Sequence, residues 1–226
     1  MSWRTWLGRR GRSSGLERAV LAGVLFAGGC AHSPDPTFYV LAARPGPALT
    51  TRRLVVELRR PSLPGYLDRQ HIVRRATAER LDLGGDERWG APLQDLVGTT
   101  LADDLSARLP GSTVFVESGS ISAPADFSVE VEIARFELTE RGDVELDANV
   151  AVRAHAAERA EQARHFKFAA TPKGRDTASL VATMSEVLAR LADALAQTLV
   201  QASSRVAAPE DSAGRATPDD AAGPRP

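Results

Sequence analysis

The stretch "FSVEVEIARFELTERGDVELDANVAV", residues 127–152, alternates apolar and polar residues so regularly that it decides the fold. Phe127, Val129, Val131 and Ile133 alternate with Ser128, Glu130 and Glu132, which puts the apolar set on one face of a strand. The phase then slips: Phe136 and Leu138 are apolar while Arg135 and Glu137 are polar, so a bulge is expected near Ala134-Arg135. "ERGD" (140–143) turns the chain. Val144, Leu146, Ala148, Val150 and Val152 then alternate against Glu145, Asp147, Asn149 and Arg153. A third run, with Phe166 and Phe168 flanking Lys167, continues to Thr171. Three long strands, each with one polar face, form an antiparallel meander whose apolar face must be covered.

Two amphipathic helices supply the cover. Pro92 suits a first helical position, and Leu93, Leu96, Val97, Leu101, Leu105 and Leu109 make one apolar stripe that Pro110-Gly111 ends. The second helix is expected over about 177–204, capped by Asp176 or Thr177, with Leu180, Met184, Val187, Leu188, Leu191, Leu195 and Leu199 on one side. Shorter strands are expected in "FYVLAA" (38–43), "RLVVELR" (53–59), "HIVRRATAERLDLG" (71–84, two strands) and "TVFVES" (113–118). "RRPSLPGYLDRQ" (59–70) is irregular, and "GDERWGAP" (85–92) is read as a polar turn. The expected fold class is α+β: one domain, with an antiparallel or mixed sheet covered on one face by two helices.

At the N-terminus, Arg4, Arg9, Arg10, Arg12 and Arg18 precede the apolar run "AVLAGVLFAGG" (19–29). A run of that length is too short for the roughly twenty residues of a membrane span and has the order of an export signal. It ends on Cys30, the single cysteine, which can form neither an internal disulfide nor a thiolate zinc site. "AGGC" (27–30) resembles the lipobox of bacterial lipoprotein signals, although Ala27 stands where Leu is usual. The resemblance implies that Cys30 becomes an acylated N-terminus, and Ala31 after it implies sorting to the outer membrane. The organisation expected is then a signal peptide (1–29), an acylated tether (30–37), the domain (38–205) and a disordered tail (206–226), which has no large apolar residue from Ala207 onward.

Charge and composition exclude several functions. Removing five Arg and one Glu with the signal takes the formal net charge from −1 to about −5, with no run of basic residues for anionic headgroups or nucleic acid. Aromatic residues are 5% of the chain, too few for a single-strand stacking platform. Neither H-E-x-x-H, a cysteine cluster, a phosphate-cradling glycine loop nor a G-x-S-x-G elbow occurs, so no enzyme, cofactor or metal is expected. His155 and His165 could meet across a hairpin, but solvated strand histidines are the simpler reading. Asp103-Asp104 and the carboxylates of 127–153 are read as a wet surface.

"LPGYLDRQHIVRR" (63–75) together with "RWGAPL" (88–93), and "FYVL" shortly after Cys30, resemble the ABC-type transport auxiliary lipoproteins, the PqiC-like family. The resemblance spans most of residues 30–200; Gln70 stands where many relatives have Pro. It implies a non-catalytic, partner-binding lipoprotein on the periplasmic face of the outer membrane. There it would serve an MCE-type system that moves lipids or other hydrophobic molecules across the envelope, with a homo-oligomer possible. It makes Tyr66, Leu67, Asp68, Arg69 and Trp89 candidate partner contacts. Competing expectations are a structural or regulatory outer-membrane lipoprotein of cell-wall synthesis, a periplasmic lipid-binding protein with a large apolar cavity, and a hydrolase.

Overall fold

The computed structural model describes residues 35–117, 123–156 and 161–207. The signal segment, Cys30, His32 and the tail from 208 lie outside the described residues. The strands are β1 (Thr37–Tyr39), β2 (Val55–Leu58), β3 (His71–Arg75), β4 (Leu81–Trp89), β5 (Thr113–Val116), β6 (Phe127–Leu138), β7 (Val144–Ala154) and β8 (Glu161–Ala170); the helices are α1 (Leu93–Arg108) and α2 (Thr177–Ala207).

The meander forms as its alternation requires. β6 pairs antiparallel with β7, and β7 with β8, along almost their whole lengths. The β6–β7 register shifts between Ile133 and Arg135, the expected bulge. One extra residue there keeps Ile133 and Phe136 both on the buried face, each 1% exposed. In the turn, Gly142 takes φ +87°, and the Thr139 N–H donates to the Asp143 carbonyl at 2.8 Å.

The other edge of β6 is shared. β2 runs parallel to its first half, Ser62 bridges to Glu132, and Arg74 of β3 pairs with Leu138. Residues 55–75 thus follow β6 as one interrupted line. β5 lies outside β2; β4 and then β1 lie outside β3, completing a mixed eight-stranded open sheet.

Both helices lie against the sheet and each other. α1 buries Leu93, Val97, Leu101 and Leu105, and Leu109 closes it. Pro92 is the N-cap residue rather than the first helical one, with ψ 130°. α2 buries all seven stripe residues from Leu180 to Leu199 against β7 and β8. Its cap is Asp176, whose carboxylate accepts the Ser179 N–H and hydroxyl, each at 2.8 Å; these bonds hold its pKa below the ordinary carboxylate value.

A polar pin joins the helices. The Arg108 side chain is 1% exposed and donates to Asp193 at 2.5 Å, to the Asp104 carboxylate at 3.3 Å and to the carbonyls of Asp104, Arg44 and Ala189. Asp104 also accepts the Arg44 N–H at 2.8 Å. Asp104 is therefore not a solvated carboxylate, as the sequence suggested, but fully buried, and burial raises its pKa despite Arg108.

Three further expectations need correction. "FYVLAA" is a strand only over Thr37–Tyr39, because the following N–H groups of Ala42 and Arg44 go to Ser185 and Asp104 on the helices instead of to a ladder. The polar turn in "GDERWGAP" is strand as far as Trp89: β4 is held between β1 and β3, and its acidic residues face solvent or pair, as Glu87 does with Arg74 at 2.8 Å. α2 continues to Ala207, three residues past the expected helix end at 204.

Candidate partner-docking groove

The irregular segment after β2 is held down at both ends before it reaches the surface. Its first half ties to α1 through Gln94 Nε2, which donates to the Pro61 carbonyl at 2.5 Å, and through Arg60 and Asp95 at 2.7 Å. Gly98 lets Pro61 approach the helix, since a Cβ there would lie 3.3 Å from the proline ring. Leu67 then plugs the core at 1% exposure, and the turn closes with the Leu67 N–H donating to the Pro64 carbonyl at 2.9 Å.

Tyr66 packs beside this plug. Its ring lies under the Arg75 guanidinium at 5.8 Å, and Arg75 Nε donates to the fully buried Glu137 at 2.6 Å. Burial first, and then the neighbouring Glu137 carboxylate, push the Tyr66 pKa up to about 12, so the phenol stays neutral. Glu137 likewise raises the pKa of Arg75.

Asp68 and Arg69 are exposed. The chain beyond them meets the end of β4, where the Trp89 N–H donates to the Gln70 carbonyl at 2.7 Å and the Gly90 N–H to the Tyr39 carbonyl at 2.8 Å. These bonds draw Asp68, Arg69, Arg88, Trp89 and Pro92 around a surface groove of about 540 Å³, with Phe38 at its rim. Phe38 is 61% exposed, unusual for a phenylalanine. Arg88 Nε is buried without a hydrogen-bond partner among the described residues.

The five candidate residues thus separate by role. Leu67 and Trp89, at 1% and 4% exposure, are packing residues that shape the groove, and Tyr66 braces it from within. Of the five, only Asp68 and Arg69 are exposed. Phe38 and Arg88 were not among the candidates, because their place in the groove depends on β1 pairing beside β4, with Phe38 opposite Arg88.

Elsewhere the surface is a polar sheet face. A wider trough of about 730 Å³ crosses it between Arg59, Glu130, Glu132 and His165. His165 opposes Asn149 and contacts Asp147 at 2.7 Å, so it does not meet His155. Among the described residues no group of His, Cys, Asp or Glu could hold a metal, and no helix is long and apolar enough to cross a membrane.

A family model described as the ABC-type transport auxiliary lipoprotein component matches residues 39–196. The chain belongs to this family. The match takes in both segments that meet at the groove and most of α2. The fold recurs in solved structures. Protein XCC0632 from Xanthomonas campestris, of the DUF330 family, is 18% identical with a TM-score of 0.64, covering 76% of this chain and 98% of that one. An uncharacterized protein is 17% identical with a TM-score of 0.62, covering 74% and 99%. At such identities the likeness is one of fold. No curated protein matches the chain.

Proposed function

We propose that this chain is the non-catalytic, partner-binding lipoprotein of an MCE-type transport system that moves lipids or other hydrophobic molecules across the envelope. In this reading acylated Cys30 anchors it to the outer membrane, with the domain on the periplasmic face and the groove receiving the periplasmic MCE-type protein. One observation carries the docking role: residues 68–70 and 88–92, from the two segments that resemble the family most clearly, meet in one groove with an exposed aromatic. An aromatic beside two arginines is the composition of an interface anchor, suited to a partner loop that offers an apolar residue next to a carboxylate.

Copurification from fractionated membranes tests this reading. The double variant Phe38→Asp/Arg69→Glu alters two exposed side chains and should keep the wild-type melting temperature and acylated mass while losing the MCE-type protein. Undiminished recovery of that protein would sink the groove as its docking site.

A further inference from the structure

The sequence after residue 29 has no basic run, yet folding makes one. A cleft of about 440 Å³ is lined by Arg74 from β3, Arg141 from the β6–β7 turn, and Lys173 and Arg175 from the loop before α2, with Asp176 the one carboxylate. The acidic groups nearby are mostly engaged. Glu87 pairs with Arg74 and accepts from Thr177, Asp176 caps α2, and Asp143 accepts the Thr171 hydroxyl at 2.6 Å. Glu140 shares the turn with Arg141 and offsets part of its charge. Arg141, Lys173 and Arg175 are exposed and have no ion pair or hydrogen bond with a described residue.

Strand polarity says which way this cleft faces. β1 is parallel to β4, β4 antiparallel to β3, and β3 parallel to β6, so the chain enters β1 from the end at which β6 and β8 finish and α2 begins. Thr37 pairs with Glu87, the residue that bridges Arg74 and Thr177 beside the cleft. Cys30 lies seven residues before Thr37, a separation that an extended chain spans in at most about 25 Å.

From these two observations we propose that this end of the domain rests on the bilayer and that the cleft takes the phosphate headgroups of anionic phospholipids. The orientation rests on the reading that Cys30 carries the anchor. Long, exposed, unpaired cations on turns suit a fluid array of headgroups better than one shaped peptide. Tethering also holds those headgroups at high effective concentration beside the cleft. The chain is acidic overall, so gathering its cations at one end is what turns an attractive face toward an anionic surface.

The test removes the anchor from the question. The mature chain from residue 30, carrying Cys30→Ala, is sedimented at low salt with vesicles of phosphatidylcholine alone or mixed with phosphatidylglycerol. Binding is expected to phosphatidylglycerol vesicles only, and to fall away at about 0.5 M salt, where screening is nearly complete beyond a few ångströms. Each cation near an anionic surface strengthens partition about fivefold, so Arg141→Glu/Lys173→Glu/Arg175→Glu should weaken it by on the order of a hundredfold or more. The milder Lys173→Gln/Arg175→Gln variant should weaken it by about twenty-five-fold without altering the melting temperature. Equal binding to both vesicle types, or wild-type binding by the folded variants, would overturn the proposal. So would loss of a copurifying acidic protein from these variants while their vesicle binding stays intact. Failure here beside an acylated Cys30 would leave the anchor standing, whereas headgroup binding beside an unmodified Cys30 would remove the anchor alone.

Discussion

Replacing Arg108 by Met keeps the length and much of the bulk of a 1%-exposed side chain while deleting its charge. The consequence falls on Asp104, which is fully buried and left with the Arg44 N–H at 2.8 Å as its side-chain partner. Stranding one member of a buried ion pair costs about 3–5 kcal/mol. Asp193 adds little, because its side chain is 34% exposed and rehydrates. The double variant Asp104→Leu/Arg108→Met removes the stranded charge and should recover about 1–3 kcal/mol of the loss, since a buried pair and an apolar replacement of similar volume are nearly equivalent. The pH dependence follows from the carboxyl itself. Burial raises the folded pKa of Asp104 above its ordinary 3.8, so its protonated form is favoured on folding; that stability is complete below 3.8 and is lost as pH rises through the folded value. Without Arg108 the shift grows, and acidification from about pH 7.5 to about pH 5 should narrow the gap between Arg108→Met and wild type. Urea unfolding of the wild type and both variants at the two pH values measures all of this. A single-variant cost under about 1 kcal/mol, or a double variant no more stable than the single, would refute a buried, coupled pair.

Leu188→Ala opens a cavity where α2 meets the sheet and should cost about 2–5 kcal/mol in the same urea assay. Gly142→Ala meets no atom within 4 Å, so its cost of about 1 kcal/mol comes from φ +87° alone, and Gly142→Asn should recover part of it. Gly46→Ala should destabilise by collision with the Arg108 guanidinium, and should lower the melting temperature less in an Arg108→Met background than in the wild type. In an alkaline absorbance titration the Tyr66 phenol should ionise near 12; the stability tied to its neutral form is present below 10.0 and lost as pH rises through about 12.

The meander, its bulge and both helix stripes were legible because each is a local pattern with its own period, and the α2 cap was narrowed to Asp176 or Thr177, of which the structure uses Asp176. Phe136 after Ile133 announces the bulge without any partner strand in view. β4 was legible only in part: at the margin of the sheet one face stays wet, so Asp82, Asp86 and Glu87 mimic a loop. Asp104 was read with Asp103 as a wet surface carboxylate, and only the approach of α2 and residues 44–49 buries it with Arg108. The groove was half visible, since Asp68 and Arg69 lie in a recognisable segment. Phe38 and Arg88 join them through a strand pairing that spans fifty residues. The basic cleft was invisible for the same reason, its cations standing far apart in sequence on three elements.

The most direct test of the central claim is the intact mass of the protein from separated inner and outer membranes, wild type beside Cys30→Ala, with copurifying proteins identified in the same sample. The account predicts a chain beginning at Cys30 with diacylglycerol and an acyl chain attached, in the outer-membrane fraction together with an MCE-type protein. It predicts loss of that membrane attachment in the variant. An unmodified wild-type chain outside the membrane fractions, with no transport protein beside it, would contradict it.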